Sequence, residues 1–218
     1  MQEAVLTISS KNYSSWSLRG WLITRMSGLP FREQILASTD EPSRQELLLR
    51  SPSTLVPHLS HDGHEVWDTL GIFAYLREVM PDAPMLPADP AARARCWSIS
   101  GEMHSGFSSM RNALPMNLRS HRPGFVVWSS ARADIDRILA IWRECLDRWG
   151  GPFLFGDYFT LADAMYAPVC TRLRTYDVAI DAIGQAYCRH ILALPDMKEW
   201  TQAALQEPAE MTELEVEF

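Results

Sequence analysis

A small α/β domain followed by an all-helical one is the architecture this sequence predicts. Three observations predict it. The first 80 residues alternate β-rich runs with helix-spaced apolar positions. Prolines at 81, 84, 87 and 90, with no periodicity between them, then make residues 81–90 a linker between domains. Beyond it strand signals nearly vanish, and apolar residues recur every three or four positions over residues 91–218, the acidic tail excepted.

Taken in order, Glu3–Ile8 reads as a strand through Val5, Leu6, Thr7 and Ile8. Ser14–Ser27 places Leu18, Trp21, Leu22, Arg25 and Met26 at helical spacing, and Gly28 is the expected stop. Pro30–Leu36 is a second strand, and Asp40–Leu49 a short helix opened by Asp40 or Pro42. Pro57–Ser60 and His64–Val66 form a hairpin about Asp62-Gly63, because this dipeptide tolerates the positive φ of a tight turn. Asp68 or Thr69 then caps a helix bearing Leu70, Phe73, Leu76 and Val79. The order β-α-β-α-β-β-α implies a parallel crossover with an antiparallel edge. After the linker, Ala91–Asn117 reads as one helix with Cys96, Ile99, Met103, Phe107, Met110 and Leu114 along it. Ala131–Trp149 is another, stopped by Gly150-Gly151-Pro152. Thr160-Leu161-Ala162-Asp163 is a capping box that opens a third. Helices near Ile183–Leu194 and Asp196–Leu205 follow, then an acidic tail with Glu207, Glu210, Glu213, Glu215 and Glu217, read as loose or packed on a partner.

Composition bounds the function. Among 218 residues, 47% are hydrophobic and 22% charged, the balance of a globular chain with a substantial core. A net charge of -7, with no basic patch among aromatics, argues against nucleic acid as partner. No apolar run approaches the roughly 20 residues of a membrane span, and Met1–Ser10 lacks the pattern of a signal peptide, so a cytoplasmic protein is expected. Cys96, Cys145, Cys170 and Cys188 stand far apart, outside any CxxC pair, and read as buried free thiols. His58, His61 and His64 alternate along the hairpin without a further ligand, so no metal site is expected.

Three short motifs can carry chemistry. Asn12-Tyr13-Ser14-Ser15-Trp16-Ser17-Leu18-Arg19 runs from the first strand into the first helix. Helix-start amides favour an anion by about 0.3–1 kcal/mol, and a hydroxyl bonded to a charged group adds about 1.5–3 kcal/mol. Together they lower a bound thiol's pKa by about one to three units, at about 1.36 kcal/mol per unit. Ser14 and Ser15 suit that role; taken alone, the motif is more plainly an N-cap. In Leu55-Val56-Pro57-His58-Leu59, a cis peptide before Pro57 would turn the Val56 backbone outward to pair with an extended ligand. In Trp67-Asp68-Thr69, Thr69 and the helix amides suit a carboxylate and Asp68 an ammonium, the two charges of an amino-acid head group; N-capping is the plainer use.

These motifs and the Thr160 box stand in the order and spacing of a known family. The chain resembles a bacterial cytosolic glutathione transferase over nearly its whole length. Ser14-Ser15-Trp16-Ser17-Leu18-Arg19 resembles the Ser-Ser-x-Ser-x-Arg segment of the zeta and related serine-type classes, Val56-Pro57 the cis-proline signature, and Asp68-Thr69 the usual Glu-Ser. The resemblance implies a thioredoxin-like domain (1–80) that binds glutathione, a linker (81–90) and an all-α domain (91–218) holding the electrophile pocket. It also implies a homodimer, with glutathione as cosubstrate and no metal. Ser14 matches the catalytic serine and Ser15 is the reserve. Val56, Pro57, Asp68 and Thr69 would hold glutathione; Met103, Phe107 and Met110, with His104 and Arg111 beside them, would line the electrophile pocket, though such a stripe also suits core or a subunit contact. Two departures from the pattern bear on glutathione affinity: Leu55 where many members carry Gln or Lys, and Asp68, one methylene short of Glu. The reaction implied is thiol attack on a small electrophile, as conjugation, peroxide reduction or zeta-like isomerisation, the last set second because Trp16 replaces that class's small cysteine. A non-catalytic ligand-binding or assembly protein on the same fold is the alternative.

Overall fold

The computed structural model describes residues 3–36 and 55–207. The helix expected over Asp40–Leu49 lies outside the described residues, as does the tail beyond Glu207.

Strand β1 (Ala4–Ile8) is the centre of the first unit, with Leu6 and Ile8 fully buried. Helix α1 (Ser15–Ser27) carries the chain back to β2 (Phe31–Ile35), which pairs with β1 in parallel from Ala4↔Phe31 to Ile8↔Ile35. Gly28 ends α1 in the left-handed region at φ 77°, its N–H on the Arg25 carbonyl, a conformation only glycine adopts without a Cβ clash. Strands β3 (His58–His61) and β4 (His64–Trp67) form the predicted hairpin. Asp62 and Gly63 both have positive φ, as a two-residue type I′ connection requires. The sheet order is β2-β1-β3-β4, parallel once and antiparallel twice. Helix α2 (Thr69–Val79) packs beside α1 and buries Ile72, Phe73 and Leu76. This is a thioredoxin-like unit.

Helices make up the rest: α3 (Pro90–Ser105), α4 (Ser108–Ala113), α5 (Ser129–Trp149), α6 (Leu161–Thr175), α7 (Ala182–Ala193) and α8 (Pro195–Gln206). One sequence expectation needs correction. Residues 91–117 are not one helix but two, broken at Gly106-Phe107. A Cβ on Gly106 would stand 2.7 Å from the Glu102 carbonyl oxygen, and Phe107 is left-handed at φ 62°. The apolar spacing runs through the break because both pieces face the same core.

Helix α6 is the axis of the second unit. Its residues are buried from Leu161 to Thr175 except Arg174, and it packs against α1, α3 and α7. The capping box forms as read: Asp163 Oδ2 accepts from Thr160 N and Thr160 Oγ1, both at 2.9 Å. Its Oδ1 accepts from Leu154 N and the Tyr187 hydroxyl, each at 3.0 Å. All four cysteines are buried and free, and burial pushes the Cys96 and Cys145 thiols up to about 12. Among the described residues no helix is long and apolar enough to cross a membrane, and no group of His, Cys, Asp and Glu is placed to hold a metal ion.

Candidate active site

The loop after β1 delivers Ser14 to the N-cap of α1. Its backbone is extended (φ -87°, ψ 101°), so the side chain turns back over the first turn and accepts the Ser17 N–H at 3.2 Å. The Ser14 and Ser17 hydroxyls bond to each other at 2.9 Å, and Ser17 Oγ accepts the Ser9 N–H at 3.0 Å. Ser14 remains half-buried at the end of this hydroxyl chain. Ser15 faces the other way. It is fully buried, and its Oγ accepts from Arg19 Nη1 at 3.2 Å and Arg172 Nη2 at 3.1 Å. Its hydroxyl therefore ties α1 to α6.

Next to this helix start lies a cleft of about 190 Å³ lined by Trp16, Leu55, Val56, Pro57, Asp68, Thr69 and His104. The Val56–Pro57 peptide is cis, as the motif anticipated. Pro57 sits against α1 so closely that a Cβ on Gly20 would fall 2.4 Å from its Cβ and Cγ. Opposite stands the start of α2. Asp68, at φ 51°, caps it through Oδ1, which accepts from Leu70 N at 2.7 Å and Gly71 N at 3.0 Å. Oδ2 is left to meet His104 Nε2 at 3.2 Å, a contact that bridges the two units. Thr69 Oγ1 is buried with no hydrogen-bond partner among the described residues. A buried hydroxyl without a partner costs about 1–3 kcal/mol, so its position beside a cleft suits an acceptor on a ligand.

Two arginines and a histidine pack against Trp16. The Arg19 and Arg111 guanidinium carbons lie 4.6 and 4.9 Å from its ring, and His104 meets it edge-on at 5.0 Å. Of the residues expected to line the electrophile pocket, His104 reaches the cleft. Met103 and Met110 are in the core instead, both fully buried, and Met103 Sδ accepts from Arg19 Nη2 at 3.5 Å. Phe107 and Arg111 are each 8% exposed, and Arg111 Nε donates to the Gly106 carbonyl at 3.1 Å. The break at Gly106-Phe107 turns the stripe inward.

Trp16 and Leu55, singled out in the sequence as departures from the family pattern, also line the cleft. One contributor, Arg172, is missed, and the sequence offers little signal for it beyond a charge in the apolar run Met165–Leu173. Its Nη1 donates to the Leu114 carbonyl at 2.5 Å, a partner remote in sequence.

Two family models match the chain: the N-terminal domain of glutathione S-transferase over residues 13–79, and its C-terminal domain over residues 90–203. A Caenorhabditis elegans protein named probable maleylacetoacetate isomerase is 26% identical over 168 residues, covering 77% of this chain and 78% of that one. The maleylacetoacetate isomerase of Rhizobium meliloti is 32% identical over 143 residues, covering 63% of this chain and 66% of that one. Among solved structures, a glutathione transferase homolog from Burkholderia with bound glutathione superposes with a TM-score of 0.70 at 21% identity, covering 94% of this chain and 100% of that chain, a likeness of fold.

Proposed function

We propose that this chain, which belongs to the glutathione S-transferase family, binds glutathione in the cleft between α1 and α2 and activates its thiol at Ser14 for attack on a small electrophile. The observation that carries this reading is that the starts of α1 and α2 border one cleft, Trp16 on one side and Asp68 and Thr69 on the other, with Ser14 capping α1 two residues before Trp16. The start of α2 suits the γ-glutamyl end: Thr69 Oγ1 is a buried donor without a partner among the described residues, and Asp68, half-exposed beside His104, offers a carboxylate that an ammonium could share. The Val56 backbone beside cis-Pro57 suits pairing with the extended tripeptide. The start of α1 suits the thiolate. The Ser14 hydroxyl donates to Ser17 Oγ at 2.9 Å, and because hydroxyl protons rotate it can turn from Ser17 to a bound sulfur. Residues 1–80 then hold glutathione and 91–218 supply the wall facing the electrophile.

Zeta-like isomerisation is the reaction we place first, on the names of the curated relatives. Thiolate adds to a conjugated double bond, the resulting single bond rotates, and elimination returns the thiolate. Trp16, an apolar ring in the cleft, favours conjugation of an apolar electrophile, a detoxifying reaction, as the second reading. A homodimer in the cytoplasm completes the proposal. Trp97 and Val79 are exposed on α3 and α2, suited to a subunit contact.

The experiment is retention on immobilised glutathione, then turnover of an aryl halide and of an unsaturated diacid. Retention with turnover of either is expected. Retention without turnover would favour a ligand carrier, and no retention at millimolar glutathione would overturn the reading.

A further inference from the structure

We propose that Glu207, at the C-terminal end of α8, is a positioning residue for the loop that presents Ser14, an assignment that rests on the thiol-activating role proposed for that serine. The loop Ser9–Ser14 has no regular structure, so its backbone N–H groups need partners from elsewhere. Two of them meet one carboxylate. Lys11 N donates to Glu207 Oε1 at 2.5 Å and Asn12 N to Oε2 at 3.1 Å. The Ser10 hydroxyl donates to the same Oε2 at 2.7 Å. Ser10 Oγ in turn accepts from Asn12 N at 3.1 Å and Tyr13 N at 3.2 Å, and the Ser10 carbonyl accepts the Ser14 N–H at 2.9 Å. Glu207 thus orients Ser10, and Ser10 sets the approach to Ser14.

Glu207 is itself held. Arg119 Nε donates to the Ala204 carbonyl at 2.9 Å, and Arg119 Nη2 to the Glu207 carbonyl, fixing the end of α8. The Arg119 N–H reaches Asn12 Oδ1 at 3.0 Å, and Trp200 Nε1 the Lys11 carbonyl at 2.8 Å. Among the described residues that accept from the loop's backbone, Glu207 is the charged one. Bonds to an ionised acceptor are roughly twice as strong as neutral ones, so its loss loosens the loop most.

The test compares Glu207→Ala, Glu207→Gln and Ser14→Ala with the unaltered full chain. It reads kcat, KM for glutathione, and the pH profile of bound-thiolate ultraviolet absorbance. Glu207→Ala should lower kcat roughly tenfold or more, the scale of sub-ångström misplacement. It should raise the bound-thiol pKa while leaving KM for glutathione little changed. Glu207→Gln keeps one acceptor oxygen and should fall between. A lowered melting temperature with an unmoved thiol pKa would mean the contact serves stability alone and would overturn the proposal. Should Glu207→Ala not fold, the Glu207→Gln profile decides by the same criterion. If Ser14→Ala moves the thiol pKa and neither Glu207 variant does, this inference fails by itself. If the unaltered protein holds no thiolate, the thiol-activation reading fails and this inference falls with it.

Discussion

Ser14→Ala separates thiol activation from the residue's other task. The alanine removes the N-cap acceptor for Ser17 N, now at 3.2 Å, and the hydroxyl bond to Ser17 at 2.9 Å. Loss of a serine cap costs about 1 kcal/mol, which in a chain of this size lowers the melting temperature by roughly 2–4 °C. The loss at sulfur is larger. A hydroxyl donated to a thiolate contributes about 1.5–3 kcal/mol, or about one to two pKa units at about 1.36 kcal/mol each. At any pH below both thiol pKa values the bound thiolate fraction should fall about ten- to hundredfold, and kcat with it. The sign gives a second check. Without its hydroxyl the thiol ionises later, so the deficit is greatest at low pH and closes as pH rises past the variant's thiol pKa. The assay follows thiolate absorbance and turnover across pH in parallel with melting. Equal thiol pKa values in the two proteins would refute the reasoning, whatever happened to stability.

Asp68→Asn should raise KM for glutathione about tenfold or more with kcat less affected, since a charge-assisted contact of about 1.5–3 kcal/mol to the ammonium is lost in ground and transition states alike; a fall in kcat alone would contradict it. Gly20→Ala should destabilise by about 1–3 kcal/mol through overpacking against Pro57, 2.4 Å from the new Cβ, and weaken glutathione retention as that strand is pushed away; an unchanged melting curve would count against the close approach. The buried thiols set an alkaline limit. Burial raises Cys96 and Cys145 from 9.0 to about 12, so the folded chain holds these protons where the unfolded chain sheds them. Stability from this source is complete below about pH 9 and declines from there toward 12. Melting scans over that window should show the decline, and Cys→Ser at both sites should lessen it, the remainder coming from Cys170, Tyr166 and Tyr187, which burial also raises.

Much of this fold is legible because local chemistry and tertiary structure agree. Asp62-Gly63 can turn, Gly28 can stop a helix, and Thr160 and Asp163 cap one, and each does so where its spacing places it. The cleft was legible in the same way, since Val56, Pro57, Asp68 and Thr69 each sit at a strand or helix start whose position is readable. What escaped depends on contacts remote in sequence. Phe107 pairs a helix-compatible side chain with a left-handed backbone, and periodicity carries no trace of that. Ser15 differs from Ser14 only in facing inward, toward an arginine 157 positions away. Glu207 reads as one more acid in a tail of acids, yet it closes on a loop near the other end of the chain, 196 positions before it.

The Ser15 hydroxyl, which receives one guanidinium from α1 and another from α6, has a consequence for how the molecule comes apart. Separating the sheet from the helices would take the Ser15 oxygen from Arg172 and the Met165 carbonyl from Arg19, and uncover both cations. Those contacts couple the opening of one unit to the opening of the other, so substitutions at Ser15, Arg19 and Arg172 should act non-additively on stability.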